Sequence, residues 1–296
     1  MFLKHNVNGA PRLRTLLADS EPIIAPGAFD CLSARLIEAA GFHAVYMTGF
    51  GTAASYLGQP DVGLLGMSEM LDQARRIVQA VRVPVIADAD TGYGNPINVI
   101  RTVRAYEDAG VAALHLEDQV APKKCGHMGG KQVIPPQDMI AKIKAAVAAR
   151  SSEEFTIIAR TDARAIEGLT STLERAQRYK DAGADAIFVE APESEQEVEC
   201  IADTLRGVPL VFNWVEGGKT PAVAYHRLRE LGFRIIIFPI SPLLAATHAL
   251  RELLQRLKQD GTPAAAMDRM MSFQNFIDFI GLPEIRDLER RFESDR

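Results

Sequence analysis

A repeated pattern of apolar and polar residues divides the chain into alternating helical and extended segments. Four amphipathic stretches end in a small residue or leucine followed by glycine, and a short apolar run comes next. Glycine is favoured there because it adopts the left-handed conformation that ends many helices. The apolar runs are rich in branched and aromatic residues, which is typical of strands buried on both faces. These four predicted strands are residues 44–47, 113–116, 186–189 and 235–238.

Four further apolar runs complete the pattern, at residues 22–25, 84–87, 155–159 and 209–212. Three of them begin with proline, which a strand tolerates at its first residue. Segments of helical length separate the eight runs, so the sequence predicts a (β/α)8 TIM barrel over residues 1–260. A doubly wound parallel sheet is the structural alternative, because a count of strands does not establish that the sheet closes.

The C-terminal tail, residues 261–296, differs from the repeats. Residues 267–281 are apolar and aromatic, with Phe273, Phe276 and Phe279 at helical spacing, and residues 286–296 are highly charged. This segment predicts a helical extension. It has two interpretations, a helix packed on its own barrel or an oligomer contact.

Composition indicates a soluble enzyme with a small-molecule substrate. The 296 residues are 47% hydrophobic and 24% charged, and the net charge of −5 attracts neither nucleic acid nor anionic membranes. Three widely spaced cysteines form no disulfide framework and no zinc motif, which favours a reducing compartment. Residues 1–19 lack the apolar core of a signal peptide, and the most apolar stretch, 235–246, is too short to span a bilayer. We therefore expect a cytoplasmic protein.

Acidic residues follow several of the predicted strands. Asp88, Asp90, Glu117 and Glu190 would converge on the carboxyl-terminal rim of a barrel, where the chemistry of this fold lies. Like charges in a cleft repel each other, and a divalent cation would relieve the repulsion. Oxygen ligands favour Mg²⁺ or Mn²⁺ over zinc. For Asp88 and Asp90 alone, a turn or helix-capping role is the alternative.

Basic and thiol side chains also fall on this rim. Arg160 suits a substrate carboxylate as a bidentate partner, or an ion pair with a rim acid. Cys125 follows Lys123 and Lys124 in a polar loop, and positive neighbours predict a lowered thiol pKa. His127 would orient or activate this thiol, or bind substrate. Other cysteines and histidines, namely Cys31, Cys200, His43 and His115, are predicted to be structural. No glycine-rich nucleotide motif follows a strand.

Four motifs together resemble the isocitrate lyase/phosphoenolpyruvate mutase superfamily. They are Asp-Ala-Asp-Thr-Gly-Tyr-Gly at 88–94, Leu-Glu-Asp-Gln at 116–119, Lys-Lys-Cys-Gly-His at 123–127 and Ala-Arg-Thr-Asp at 159–162. The Lys-Lys-Cys-Gly-His stretch resembles the lyase branch. The resemblance runs from about residue 22 to residue 257. It implies a TIM barrel whose last helix is swapped between the subunits of a homotetramer, which would give the tail a role.

The resemblance also implies roles for individual residues. Asp88 would bind Mg²⁺, with Asp90 and Glu117 holding its water ligands. Cys125 would be the general acid with His127 beside it, and Asp61 would belong to a mobile loop. The implied substrate-binding residues are Tyr46, Thr48, Gly49, Phe50, Asp61, Lys123, Gly126, Arg160, Glu190 and Asn213, with Tyr46 also a catalytic candidate.

Two departures from methylisocitrate lyases bear on the substrate. Phe50 interrupts a run of glycines, and Asn213 is followed by Trp-Val-Glu-Gly-Gly-Lys, which looks more like dimethylmalate lyase or a phosphonomutase relative. Together, Phe50, Trp214 and Val215 would favour a small or alkylated substrate over a tricarboxylate. Pro239 stands where oxaloacetate hydrolases have serine, which counts against that activity.

The resulting hypothesis is a Mg²⁺-dependent carbon–carbon lyase. It would cleave a 2-hydroxy di- or tricarboxylate, such as 2-methylisocitrate or 2,3-dimethylmalate, into a 2-oxo acid such as pyruvate and a second carboxylate. Tyr46 and a metal-bound water are both candidates for the base that takes the hydroxyl proton. The alternatives are phosphonomutase chemistry, oxaloacetate hydrolysis and a non-catalytic barrel.

Overall fold

Eight parallel strands form a closed barrel in the computed structural model, which describes residues 9–293. The strands follow chain order around the barrel, and the last pairs with the first. They are β1 (Ile23–Ala28), β2 (Val45–Met47), β3 (Val85–Asp88), β4 (Ala113–Glu117), β5 (Thr156–Thr161), β6 (Ala186–Val189), β7 (Leu210–Asn213) and β8 (Phe233–Phe238). The predicted TIM barrel is confirmed, and the doubly wound sheet is wrong.

Helices follow the strands and cover the outside of the barrel. In the barrel unit they are α1 (Gly9–Ala18), α2 (Cys31–Ala39), α3 (Gly49–Leu57), α4 (Met67–Ala80), α5 (Pro96–Asp108), α6 (Pro136–Ala149), α7 (Arg164–Glu167), α8 (Leu169–Asp181), α9 (Glu195–Thr204) and α10 (Tyr225–Glu230). The next helix, α11 (Ser241–Asp260), begins just after β8. The four glycines of the repeat, Gly41, Gly110, Gly183 and Gly232, all have φ between 84° and 104°, as the pattern predicts.

All eight predicted strands are present, but several continue past the apolar run. The last residue of β4, Glu117, pairs in register with Arg160 of β5, and Asn213 pairs with Ile237. Backbone pairing, unlike the apolar pattern, does not stop at the first charged side chain. Several polar residues that the sequence places after the strands are therefore the last residues of those strands.

One apolar layer lies between the strands and the helices, and a second lies inside the barrel. Alternate residues of β4 separate between them: Leu114 and Leu116 pack in the layer under the helices, and Ala113 belongs to the cluster inside the barrel. Because strand side chains alternate with period two, His115 and Glu117 share the inward side of Ala113. This alternation carries two polar side chains from β4 into the barrel interior.

Residues 244–293 form a second compact unit. It contains most of α11, a 3₁₀ helix (Ala264–Arg269), α12 (Phe273–Phe279) and α13 (Leu282–Phe292). Several large apolar side chains are exposed on it, with Phe273 at 80% and Met267 at 65%. The helical extension is thus observed, while the boundary at residue 260 stays a prediction. Within residues 9–293, no helix has the length and apolar character needed to cross a membrane.

Candidate active site at the carboxyl end of the barrel

Three buried side chains converge at the ends of β3 and β4. Asp88, His115 and Glu117 each place one ligand atom within 4.8 Å of the others. Among residues 9–293, no hydrogen-bond donor reaches either carboxylate oxygen of Glu117, although Arg160 Nη1 lies 3.2 Å from Glu117 Oε2. Burial raises the pKa of Glu117 well above its usual value, against the lowering effect of Arg160. Buried acids without donors are costly, so this donor set fits a divalent cation.

The position of Asp88 requires a glycine on the neighbouring helix. A Cβ on Gly49 would lie 2.3 Å from Asp88 Oδ2. Thr48 precedes this glycine as the N-cap of α3, where its hydroxyl accepts the Gly51 N–H at 3.1 Å. The start of α3 is therefore packed against Asp88. Phe50, the next residue of this helix, lines a cavity at the carboxyl ends of the strands.

Asp90 takes a different partner from Asp88. Its backbone has a φ of 47°, and its N–H donates to Asp88 Oδ1 at 2.9 Å. The Asp90 carboxylate forms an ion pair with Lys123 at 2.8 Å, and the same ammonium pairs with Asp61 at 2.7 Å. Burial raises the pKa of Asp90 to about 6 even though Lys123 opposes the rise. Lys123 thus links the loop carrying Asp61 to the acid cluster.

His115 is the cluster member that sequence reasoning assigned a structural role. Its Nε2 lies 2.8 Å from the Tyr46 hydroxyl and 3.6 Å from Asp88 Oδ1, and its buried Nδ1 has no partner. Burial lowers the pKa of His115 to about 4, outweighing Asp88, so the imidazole is neutral at pH 7. The signal for it was its place two residues before Glu117 on the same strand.

The Tyr46 hydroxyl faces the same acids. Burial, followed by the charge of Asp88, raises the pKa of Tyr46 well above its usual value. The phenol is therefore protonated at neutral pH and can donate a hydrogen bond.

The loop after β4 folds back over the cavity. Its base is a single antiparallel bridge between Gln119 and Val133. The Gln119 side chain holds the Lys124 backbone from both sides, accepting its N–H at 3.0 Å and donating to its carbonyl at 2.8 Å. The next residue, Cys125, donates its N–H to the Asp61 carbonyl at 3.1 Å. The loop therefore seats the cysteine against the segment that carries Asp61.

Cys125 differs from the sequence-based expectation in its acidity. Burial raises the pKa of its thiol to about 11; the His127 N–H donates to the sulfur and opposes the rise, whereas Glu190 adds to it. The expected lowering by neighbouring lysines is wrong, because Lys123 turns to Asp61 and Asp90 while Lys124 bonds the Gly130 carbonyl. At neutral pH the group is a protonated thiol, which suits a proton donor.

Glu190 is the centre of the opposite wall. Asn213 Nδ2 donates to its carboxylate at 3.1 Å, Arg160 Nη2 lies 3.4 Å away and His127 Nε2 lies 3.5 Å away. Gly126 approaches so closely that a Cβ there would lie 1.8 Å from Glu190 Oε1. The predicted residues Arg160, Glu190 and Asn213 are therefore brought together.

Arg160 pairs with rim acids, as one of its two interpretations predicts. Its guanidinium donates to Asp162 at 2.9 Å and 3.2 Å and packs 5.2 Å from the centre of the Phe188 ring. Burial raises the pKa of Asp162, but Arg160 and Lys131 outweigh it and bring the value to about 2. Sequence reasoning did not assign a role to Asp162 or Lys131.

His127 is oriented from a second loop. Its Nδ1 accepts the Lys219 N–H at 3.1 Å, so a neutral ring carries its proton on Nε2, which faces Glu190. Burial lowers the pKa of His127 although Glu190 opposes the change.

These walls enclose a cavity of about 60 Å³. Its apolar side is formed by Phe50, Val215, Pro239 and Ile240. Trp214 is not among the lining residues and packs against Phe238 with ring centres 5.7 Å apart. The cavity polar residues are Tyr46, Thr48, Asp61, Asp88, Cys125, His127, Arg160, Glu190 and Asn213.

Comparisons with known proteins agree with this geometry. The phosphoenolpyruvate phosphomutase family model matches residues 13–258. The chain is 51% identical to 2,3-dimethylmalate lyase of Eubacterium barkeri over 98% of this chain and 100% of that protein. It is 44% identical to 2-methylisocitrate lyase of Aeropyrum pernix, over 94% of this chain and 88% of the relative.

A solved structure shares the whole fold. The crystal structure of a 2,3-dimethylmalate lyase superposes with a TM-score of 0.91 at 42% identity, covering 96% of this chain and 95% of that one. Sequence and fold thus agree, and the chain belongs to the phosphoenolpyruvate mutase/isocitrate lyase superfamily.

Proposed function

We propose that the protein is a Mg²⁺-dependent carbon–carbon lyase that cleaves a 2-hydroxy dicarboxylate. The observation that carries the proposal is the cavity between a buried, protonated thiol at Cys125 and the buried acids Asp88 and Glu117. The similarity to 2,3-dimethylmalate lyase makes 2,3-dimethylmalate the first candidate substrate, with 2-methylisocitrate the second.

The acid cluster is the proposed metal site. Asp88 and Glu117 would hold the cation, with Asp90 in support, because the Glu117 oxygens are buried without hydrogen-bond donors. Mn²⁺ is the alternative ion, and His115 Nδ1 is a further unpartnered atom beside the cluster. A bound cation supplies Lewis acidity, which lowers the pKa of the substrate hydroxyl and stabilises the carbonyl that forms from it.

The chain's own residues bind and orient the substrate. Arg160 and His127 Nε2 would donate to a carboxylate, with Glu190 and Asn213 fixing both donors. Tyr46, protonated, would donate to a substrate oxygen, with Thr48 also lining the cavity and Gly49 packed against Asp88. Donors held before the reaction stabilise charge that develops on the leaving half.

The reaction is a retro-Claisen cleavage with one net proton transfer. The hydroxyl of the substrate passes its proton to water, which returns one to the thiolate later, while the bond between C2 and C3 breaks and its electron pair stays on C3 next to the second carboxylate. The Cys125 S–H then protonates C3, and the resulting thiolate regains a proton before the next turnover. For 2,3-dimethylmalate the products are pyruvate and propionate.

The apolar wall favours an alkylated dicarboxylate. Phe50 and Val215 face the cavity with Pro239 and Ile240, so methyl groups meet carbon while the carboxylates face Arg160 and the acid cluster. A third carboxylate would lie against this apolar surface and lose its hydration without a charged partner, which is costly.

An assay that detects the released 2-oxo acid tests the proposal. Purified protein is given 2,3-dimethylmalate, 2-methylisocitrate and 2-methylmalate, each with Mg²⁺ or with EDTA. Oxaloacetate is tested in parallel with oxalate as the measured product, and the phosphonate precursor of the mutase reaction is included. We expect pyruvate from 2,3-dimethylmalate with Mg²⁺ and none with EDTA. Turnover of the phosphonate precursor alone would assign the mutase reaction instead.

Replacement of the proton donor is the matched test. Cys125→Ser should lose about 10²–10⁴-fold in kcat, because proton transfer by a positioned group contributes that much. The control is Cys200→Ser, since Cys200 is an exposed free thiol. A Cys125→Ser variant with wild-type turnover would contradict the role of the thiol.

We also propose that the chain assembles as a cytoplasmic homotetramer through residues 244–293. Exposed Leu250, Leu254 and Phe273 on this unit support burial against another copy, and the three free cysteines support a reducing compartment. Light scattering on the eluting protein measures the mass, and a monomer at working concentration would contradict the assembly.

A further inference from the structure

Lys131 is a buried lysine on the loop that carries Cys125, and the roles proposed above do not use it. The residue as a whole is 8% exposed to solvent, and its side chain is 2% exposed. The ammonium donates to Asp162 Oδ1 at 2.8 Å and to the Gly126 carbonyl. A lysine ammonium is withdrawn from water only where acceptors surround it, so this placement is specific.

The carbonyl that Lys131 binds belongs to the peptide unit between Gly126 and His127. The N–H of that same peptide unit faces the sulfur of Cys125, the residue before Gly126, and it lowers the pKa of the thiol. Because a peptide unit is planar, fixing its carbonyl also fixes the direction of its N–H. A continuous set of contacts therefore runs from Asp162 through Lys131 and this peptide to the thiol.

The far end of this set is rigid. Asp162 is fully buried on the segment after β5, and its backbone N–H donates to Asp118 at 2.9 Å. Its carboxylate also holds Arg160, so one acid fixes both the substrate-binding guanidinium and the loop. At the base of the loop Gln119 pairs with Val133 and its side chain holds Lys124, and Lys131 adds a contact between the Gly126 carbonyl and Asp162.

We propose that Lys131 is a positioning residue that holds the Gly126–His127 peptide and thereby sets the Cys125 thiol against the cavity. The proposal rests on the proposed function, since it takes Cys125 as the proton donor. Lys131 touches neither the cavity nor the acid cluster, so it acts through the loop.

Several charged groups act on the thiol besides this contact. Glu190 at the end of β6 and Asp61 from the loop after α3 disfavour the thiolate, while Arg160 on β5 favours it. Removal of Lys131 leaves all three in place and leaves Asp162 paired with Arg160. No residue of the barrel core is changed, so we expect the variant to fold.

Two measurements on Lys131→Met test the proposal, with Lys124→Met as the matched control. Lys124 lies on the same loop, and its ammonium donates to the Gly130 carbonyl at 2.9 Å rather than to the Gly126 carbonyl. The first measurement is the rate of Cys125 alkylation by iodoacetamide, followed peptide by peptide with mass spectrometry. The second is steady-state turnover of the substrate, which gives kcat and KM separately.

We expect Lys131→Met to alkylate Cys125 several-fold faster than wild type, because the loop no longer keeps the sulfur buried. We expect its kcat to fall by up to about 10²-fold, the cost of a misplaced reacting group, while KM changes far less. Lys124→Met should match wild type in both measurements. Circular dichroism of each variant reports that the barrel is folded.

Unchanged alkylation in Lys131→Met would overturn the proposal, whatever the turnover. Faster alkylation with unchanged kcat would also overturn it, since the thiol would then need no positioning. The alkylation measurement uses no substrate, so it separates this proposal from the lyase assignment. If the wild-type protein cleaves none of the substrates, the proposed function fails independently of the loop.

Discussion

Gly126→Ala tests the close approach between the loop and the opposite wall. An added Cβ would lie 1.8 Å from Glu190 Oε1 and 2.5 Å from Glu190 Cγ. Real Cβ atoms essentially never come within 3.0 Å of another heavy atom, so one of the two partners must move by at least the 1.2 Å difference. Gly126 does not have a positive φ, so the substitution adds a contact without adding backbone strain.

Neither partner can move without losing contacts. Glu190 is held by Asn213 at 3.1 Å and lies 3.4 Å from Arg160, and both contacts belong to the substrate-binding wall. If the loop moves instead, Cys125 is displaced by a similar amount. A displacement of about 1 Å at a reacting group costs up to about 10²-fold in rate, which is the loss of kcat we expect.

The assay couples pyruvate release to NADH consumption by lactate dehydrogenase. Gly129→Ala is the matched control, because no atom lies within 4 Å of its added Cβ and its φ is not positive. Wild-type turnover by Gly126→Ala would refute the closed position of the loop as the reactive one. Equal losses in both variants would show that any change in this loop impairs turnover and would refute the specific contact.

Three further predictions concern the metal, the thiol and the fold. Mg²⁺ should raise the melting temperature of the wild type, since a ligand at about 100 times its Kd adds about 2.7 kcal/mol to the free energy of unfolding. Glu117→Gln should lose most of this rise, and the control Glu230→Gln, at an exposed position, should lose none of it. Equal rises in all three proteins would contradict the metal site. The alkylation rate of wild-type Cys125 should still increase above pH 10, because burial raises the thiol pKa to about 11 and the thiolate forms only near that pH. A pH–rate profile with its midpoint at or below 9.0, the ordinary pKa of a thiol, would contradict the burial of the sulfur. Asp118→Ala should lower the free energy of unfolding, measured in urea, by about 3–5 kcal/mol, because the carboxylate accepts hydrogen bonds from the Asp162 N–H and from the Thr161 and Tyr179 hydroxyls. The control is Asp203→Ala at an exposed position. Identical urea unfolding curves for the two variants would refute the structural role of Asp118.

The strands could be predicted because each is a short apolar run, and all but the run at 155–159 follow a glycine or begin at a proline. That pattern is local, and the left-handed glycines before β2, β4, β6 and β8 confirm its physical basis. The ends of the strands could not be predicted equally well. Glu117 and Arg160 look like loop residues in sequence, but cross-strand pairing keeps them on the sheet.

The sequence predicted several residues that lie together at the rim, but it did not predict the contacts among them. Cys125, Arg160, Glu190 and Asn213 do line one cavity. His115 was missed because a histidine inside an apolar run resembles a core residue, although its period-two relation to Glu117 places both on one side of β4. Lys131 was missed because nothing near it in sequence indicates that Asp162 lies beside it.

By itself, the sequence determined the order of eight strands and helices, the superfamily and the residue types available at the rim. These depend on local periodicity and on motifs, which are properties of neighbouring residues. Only the tertiary structure decided which charges meet. The two lysines before Cys125 predict an acidic thiol, yet the fold directs one to Asp61 and Asp90 and buries the sulfur, so its pKa rises. Charge acts through distance and burial, and both are set by closure of the barrel and the return of its loops.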